Sequence, residues 1–458
     1  MKTDIKSLIM EAANAAREET GDHIESQFTQ RPQWPIDCTV GPGLEGAIAC
    51  ESAVGYVNGT AGRLIYRGYD VFDLCTHANY EEVSYLLLHG RLPNEAEYKK
   101  FNETLIKDRY LPLTLRQLMG FPVEAMNSMA SLRLGTLLLR QTLTSRDLDD
   151  DRPDISTAIG ADEDSIAMEL APLGKEHATY EFKQEQKKPE NGLDNAAEIR
   201  SCYHLIAALP TIVAAVHRVR NGEMPIAPDA ELSHSANFLY MLTGKKPTPT
   251  EEKIMDVALI LHADHGMNAS TFATLVVAST LSDIYFSVGS GISALNGPLH
   301  GGANENVLYT LQEIGNEQNV ESWVEKTLAT NEKVPGFGHR VYKAYDPRAR
   351  ILAPLAKQLA QEHPEHMELY KVAAKLEEVM ISRLGDGKKI FPNVDFYSGL
   401  VYSAMGIPPY LFTPIFAVSR VAGWTARTIE YLQNNRIFRP RAIYTGEFDK
   451  TYIPIKNR

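Results

Sequence analysis

Four short segments hold polar clusters bracketed by glycine or proline, and each could carry chemistry. In Leu295-Asn296-Gly297-Pro298-Leu299-His300-Gly301-Gly302-Ala303-Asn304-Glu305 a single histidine sits between a Gly-Pro stop and a Gly-Gly pair. Val307, Leu308, Leu311 and Ile314 then give a helical pattern. His300 is therefore expected at a loop-to-helix junction, where free N–H groups and the helix dipole favour an anion and disfavour an imidazolium. A neutral histidine there can donate a hydrogen bond to a developing enolate; it can equally do no more than cap a loop.

In the segment from Val334 to Arg348, the glycine-rich run Val334-Pro335-Gly336-Phe337-Gly338 leads straight into His339 and then the cations Arg340, Lys343 and Arg348. Backbone N–H groups with several cations suit a polyanion; a tight turn before an exposed basic helix is the competing reading. In Phe391-Pro392-Asn393-Val394-Asp395-Phe396-Tyr397-Ser398-Gly399 a lone aspartate lies among apolar neighbours. Such a setting raises a carboxylate's pKa and strengthens it as a base, unless Asp395 merely caps the next helix. In Leu261-His262-Ala263-Asp264-His265-Gly266-Met267-Asn268, the i, i+3 histidines lack a third ligand at a recognisable spacing, so no metal is expected. Hydrogen bonding or ligand binding is the better use of His265. Arg420, in an apolar helix from Phe416 to Trp424, needs an anionic partner. Arg439 lies on an extended tail that can reach a neighbouring subunit.

The elements that must position these residues are read as helices. Met1 to Gly21 has an amphipathic pattern, and 22–50 is loop-like. Ala53–Val57, an Asn58-Gly59 turn and Arg63–Tyr66 suggest a hairpin. Helical periodicity covers most of Val71–Leu143, then Ile199–Arg220, Ser235–Leu242, Glu251–His262, Ser270–Ser287, Arg348–His363, Leu369–Leu384 and Thr413–Gln433. Ile437–Arg458 is expected to be extended. Many helices against two or three short strands predict an all-α chain. Gly289-Ser290-Gly291-Ile292-Ser293-Ala294 matches a dinucleotide fingerprint, but what precedes it reads as helix rather than strand, so a dehydrogenase is a remote reading.

The chain has 458 residues, 44% hydrophobic and 23% charged, enough for a sizeable core. A net charge of −12 argues against a nucleic-acid or anionic-membrane surface but not against a local basic pocket. Residues 145–198 hold 15 acidic and six basic side chains, so this stretch is read as a surface insertion without chemistry. Four scattered cysteines, no run of about 18 apolar residues and an acidic N-terminus suggest a cytoplasmic protein without a membrane span.

As a set, Gly297–Asn304, Pro335–Tyr342 and Pro392–Asp395, with Asp264-His265 and Ser419-Arg420, resemble the citrate synthase family from about Pro42 to the C-terminus, apart from the acidic insertion. The resemblance implies a helical homodimer, or a higher oligomer, with a large domain (1–301 and 409–458) and a small domain (302–408) that closes over the substrates. It implies condensation of acetyl-CoA with oxaloacetate, then hydrolysis of citryl-CoA, with acetyl-CoA as co-substrate and no further cofactor. By that likeness Asp395 is the base, His300 stabilises the enolate, and His339 polarises the oxaloacetate carbonyl. His265, Arg348, Arg420 and the partner subunit's Arg439 would bind carboxylates. Val334, Pro335, Gly336, Phe337, Gly338 and Lys343 would lie toward CoA, with Lys343 standing where some relatives carry arginine. The N-terminal helix replaces the small β-domain of NADH-inhibited members, so NADH control is not implied. The alternatives are a 2-methylcitrate synthase using propionyl-CoA, separated by a pocket difference worth about 1–3 kcal/mol, and a non-enzymatic helical assembly protein.

Overall fold

Apolar residues at helical spacing, opened by Asn, Asp, Ser or Thr caps, generate most of the architecture. The computed structural model describes residues 4–20, 33–34, 36–147, 195–330 and 332–458. In chain order, α1 (Ile5–Thr20) precedes an antiparallel sheet of β1 (Gly55–Asn58), β2 (Arg63–Tyr66) and β3 (Tyr69–Asp70). Next come α2 (Val71–His77), α3 (Tyr80–His89), α4 (Glu95–Asp108), α5 (Pro112–Leu118), α6 (Ser128–Asp147), α7 (Asn195–Arg220), α8 (His234–Thr243), α9 (Pro249–His262), α10 (Ala269–Ala278) and α11 (Ile284–Leu295). The chain continues with α12 (Ala303–Ile314), α13 (Val320–Ala329), α14 (Pro347–Glu362), α15 (Met367–Met380), the short α16 (Asp386–Lys388), α17 (Val394–Ala404) and α18 (Phe412–Leu432). Reciprocal capping boxes, Asn79 with Glu82 and Thr248 with Glu251, start α3 and α9.

The core is organised around α18, buried from Phe412 to Ile429, which packs on α3, α7, α9, α10 and α11. Helix α7 contains a 23-residue stretch long and apolar enough to cross a membrane, yet 78% of its most apolar window is buried inside the fold. It packs against α4, α6, α8 and α18, as a core helix does. A second group of contacts joins α14 to α17, α12 to α17 and α13 to α15, while α1 lies along α14.

The mostly helical expectation holds, with local differences. The Asn58-Gly59 turn is instead a longer connection: Asn58 pairs with Arg63 inside the sheet, and its side-chain oxygen accepts the Ala61 N–H at 2.9 Å. The single helix expected over 270–287 is two helices, α10 and α11. Leu281 takes a left-handed φ of 64°, and Asp283 caps α11 through the Tyr285 and Phe286 N–H groups. The dinucleotide-like glycines lie inside α11, and the element just before it is the helix α10, not a strand. Helix α13 was not expected: charged residues interrupt its apolar positions, of which Val320 and Val324 are buried. The acidic stretch 145–198 falls almost wholly outside the described residues.

Candidate active site

The His265 segment is held by a buried ion pair. Asp264 receives Nε and Nη2 of Arg427, both at 2.7 Å, and its second oxygen also accepts the Gly266 N–H. Burial pushes the Asp264 carboxyl up, but Arg427, joined by Arg420 and the Gly266 N–H, outweighs it and the net shift is downward. Helix α18 approaches this loop so closely that a Cβ on Gly423 would stand 2.3 Å from the Ala263 carbonyl oxygen, so only glycine fits. His265 is buried, its ring 5.2 Å from that of His339, and its Nε2 is 3.3 Å from the Tyr342 hydroxyl. Burial, then Arg348 and His339, depress its pKa well below the usual histidine range, so it is neutral. His262 spends Nδ1 on the Ala258 carbonyl 2.7 Å away, as a buried core histidine does.

Arg420 is 1% exposed. Its Nε donates to the His262 carbonyl, and its guanidinium lies 4.6 Å from the Phe416 ring centre, while among the described residues Nη2 has no partner. Burial lowers its pKa to about 10. A buried guanidinium with a free donor is poised for an anion.

His339 follows the glycine-rich loop. Its Nδ1 accepts the Val341 and Tyr342 N–H groups, both at 3.0 Å. That fixes the neutral tautomer with its proton on Nε2, a hydrogen-bond donor. Burial, reinforced by Arg348, brings its pKa to about 4. Arg348 is clasped by Asp346 through Nε at 3.0 Å and Nη2 at 2.7 Å. Asp346 also caps α14 and accepts the Val394 N–H at 3.2 Å, so it ties Arg348 to the start of α17.

His300 lies at the expected junction before α12. Its Nε2 accepts the Ser270 N–H at 3.3 Å and sits 2.9 Å from the Ser270 hydroxyl. Because a backbone N–H can only donate, Nε2 is unprotonated and the proton resides on Nδ1. Burial and then Arg420 lower its pKa to about 4. Asp395 is the second residue of α17; Asn393 is the cap, accepting the Asp395 N–H at 3.0 Å. The carboxylate is therefore not spent on capping, and among the described residues no hydrogen bond reaches it. Burial raises it to about 6 against the pull of Arg348 and Arg420.

The loop Val334–Gly338 is stitched to the Asp395 segment. Phe337 bridges to Pro392, Gly338 N–H donates to the Phe391 carbonyl at 2.8 Å, and Asn393 N–H donates to the Gly336 carbonyl at 2.8 Å. Lys343 is exposed, its N–H held by the Gly59 carbonyl of the β1–β2 connection at 2.9 Å. Arg348 acts electrostatically on His265, His339 and Asp395, and Arg420 on His265, His300 and Asp395, which brings these residues to one place. Arg439 is not part of that cluster within the described residues; it is exposed on the tail, whose root docks Phe438 against Phe272 and Tyr431.

A family model described as citrate synthase, C-terminal domain, matches residues 43–441. The chain belongs to the citrate synthase family. A citrate synthase from Acidithiobacillus ferridurans is 41% identical over 91% of this chain and 98% of its own length. The crystal structure of citrate synthase from Pyrobaculum aerophilum superposes with a TM-score of 0.78 at 36% identity, covering 94% of this chain and 100% of that one. Citrate synthase from Thermoplasma acidophilum, solved as a ternary complex with carboxymethyl coenzyme A and oxaloacetate, gives 0.76 at 32% identity, covering 92% and 100%. For a citrate synthase family member the informative surprises are Asp346, Asp264, Arg427 and Ser270. Asp346, Arg427 and Ser270 are not among the residues singled out from the sequence, whereas Asp264 belongs to the Asp264-His265 segment of the family resemblance. Asp346 did carry a signal, an Asp-Pro at a helix start two residues before an arginine. Arg427 and Asp264 are 163 positions apart, and nothing local links them.

Proposed function

We propose that the chain joins acetyl-CoA to oxaloacetate and hydrolyses the resulting citryl-CoA to citrate and CoA. One observation carries the reading: a carboxylate raised to about 6 shares a site with two neutral histidines whose tautomers are fixed by backbone donors. Thioester α-protons are weakly acidic, so their removal needs a base on one side and a hydrogen-bond donor on the other. Asp395 takes a methyl proton while His300 Nδ1–H donates to the enolate oxygen. The nucleophilic carbon attacks the oxaloacetate ketone, polarised by His339 Nε2–H, and the C–C bond forms as that oxygen gains a proton. Water then cleaves the thioester and CoA leaves. Arg348, Arg420 and His265 hold the carboxylates of oxaloacetate. Val334 to Gly338 and Lys343 lie along CoA.

The finer reading is a homodimer in which the partner subunit's Arg439 completes each site. Its support is the tail, where Ile443 and Ile455 are 92% and 81% exposed, a degree of apolar exposure that suits burial against another chain. Residues 302–408 act as a small domain that closes over bound oxaloacetate, and acetyl-CoA serves as co-substrate without a further cofactor. The described cysteines are unpaired, which suits the cytoplasm. The test is CoA release with oxaloacetate, comparing acetyl-CoA with propionyl-CoA. Preference for acetyl-CoA is expected. Preference for propionyl-CoA would make this a 2-methylcitrate synthase, and release from neither would remove the condensation reading.

A further inference from the structure

Glu377, on α15, takes no part in the chemistry above, yet its carboxylate joins two segments that do. The Tyr345 hydroxyl donates to one of its oxygens and the Tyr397 hydroxyl to the other. Tyr345 stands between His339 and Arg348 in the chain, and Tyr397 is two residues beyond Asp395. Both tyrosines are anchored by more than the bond. The Tyr397 ring packs edge-on against Phe396 at 5.0 Å. The Tyr345 ring lies 6.3 Å from Phe391 and carries the Arg350 guanidinium 4.5 Å from its centre. Arg350 in turn donates to Glu19 on α1, Nη1 to Oε1 at 3.1 Å. Burial raises both hydroxyls well above the usual tyrosine range, so they stay protonated donors.

We propose that Glu377 is a positioning residue, setting the distance between the oxaloacetate-holding segment of His339 and Arg348 and the base Asp395. The inference rests on the condensation reading. A carboxylate is rigid, so two hydroxyls bound to its two oxygens are held at one separation. The base oxygen must stand within about 3.2 Å of the carbon whose proton it removes, and a misplacement of about 1 Å costs about 100-fold. The charges that act on Asp395 are those of Arg348, Asp346 and Arg420, and Glu377 is not among them. Its influence is accordingly geometric.

The test is steady-state CoA release per folded active site for the wild type and for Glu377→Ala, Glu377→Gln, Tyr345→Phe and Tyr397→Phe, with melting temperatures in parallel. Glu377→Ala is expected to lose about 10- to 100-fold in kcat, with KM for oxaloacetate within about threefold. Glu377→Gln can accept one hydroxyl and donate its amide N–H to the other, so kcat should return to within about threefold of wild type, with an unmoved acid limb. Each Phe variant keeps its ring packing and should lower kcat, without adding fully to the Glu377→Ala loss. Unchanged kcat in Glu377→Ala and in both Phe variants, whatever happens to melting, would overturn the proposal and leave an ordinary packing bond. If Glu377→Ala does not fold, the Phe variants decide. An inactive wild type would instead remove the condensation reading, and this inference with it.

Discussion

At the scale of single residues, the proposed chemistry rests on a desolvated carboxylate that receives no hydrogen bond among the described residues. Asp395 rises from the ordinary aspartate value of 3.8 to about 6, whereas His300 and His339 fall to about 4. The acid limb of kcat/KM, which reports the free enzyme, should therefore follow Asp395, rising through an apparent pKa near 6, because both histidines are already neutral there. A folded pKa above the unfolded one favours the protonated fold. The resulting stabilisation is full below the unfolded value and is lost as pH rises through the folded one. Asp395→Asn should thus cost about 100-fold or more in kcat. It should also gain in melting temperature over wild type as pH climbs from about 4 to above 6. An equal melting difference at both ends of that window would mean that the carboxylate is not desolvated. The sequence made Asp395 visible because an acid among Pro, Val, Phe and Tyr is unusual, and it left the capping alternative open. What settled that choice was Asn393 two positions earlier, whose side-chain oxygen takes the cap. The partners Asp346, Asp264 and Arg427 were harder to see, since a buried ion pair across the chain leaves no periodic trace.

Among elements, the loop ahead of His339 and the turn ahead of Asp395 behave as one unit. Gly336 has φ 78°, and a Cβ there would stand 2.7 Å from Val307 Cγ2 and 2.8 Å from a Phe396 ring carbon. Gly222 shares a similar φ, 74°, with nothing within 4 Å, and so serves as a control for backbone strain alone. Gly336→Ala should destabilise by more than Gly222→Ala, the strain in each costing about 1–3 kcal/mol, and only the first should raise KM for acetyl-CoA and lower kcat. Equal melting and kinetic effects would show that the loop is not locked to α17. Most helices were legible because their apolar faces repeat at helical spacing. Two were not separable: α10 and α11 read through as one, since Leu281 fits the apolar pattern while its backbone turns left-handed. Helix α13 was missed because its buried face is narrow, and the reversal at the end of β1 was placed too early because Asn-Gly is a strong hairpin signal on its own.

On the scale of the whole molecule, the tail decides whether one chain suffices. If the partner's Arg439 completes each site, Arg420→Ala and Arg439→Ala should each be nearly inactive, and heterodimers of the two should recover one working site of the two. Confirmed heterodimers with no regained turnover would place Arg439 outside the site. Arg420 also bears on how long the protein survives. A guanidinium withdrawn from water whose Nη2 is unmatched among the described residues is a standing weakness, and on the proposed reading a dicarboxylate supplies its partner. Binding to the folded form alone contributes about 2.7 kcal/mol when ligand stands at 100 times its Kd. Proteases that act on transiently opened chains would then clear idle enzyme faster than working enzyme. On that reading the abundance of the protein would follow the supply of its keto-dicarboxylate, with Arg420 in the middle of α18 one of the groups that respond to it.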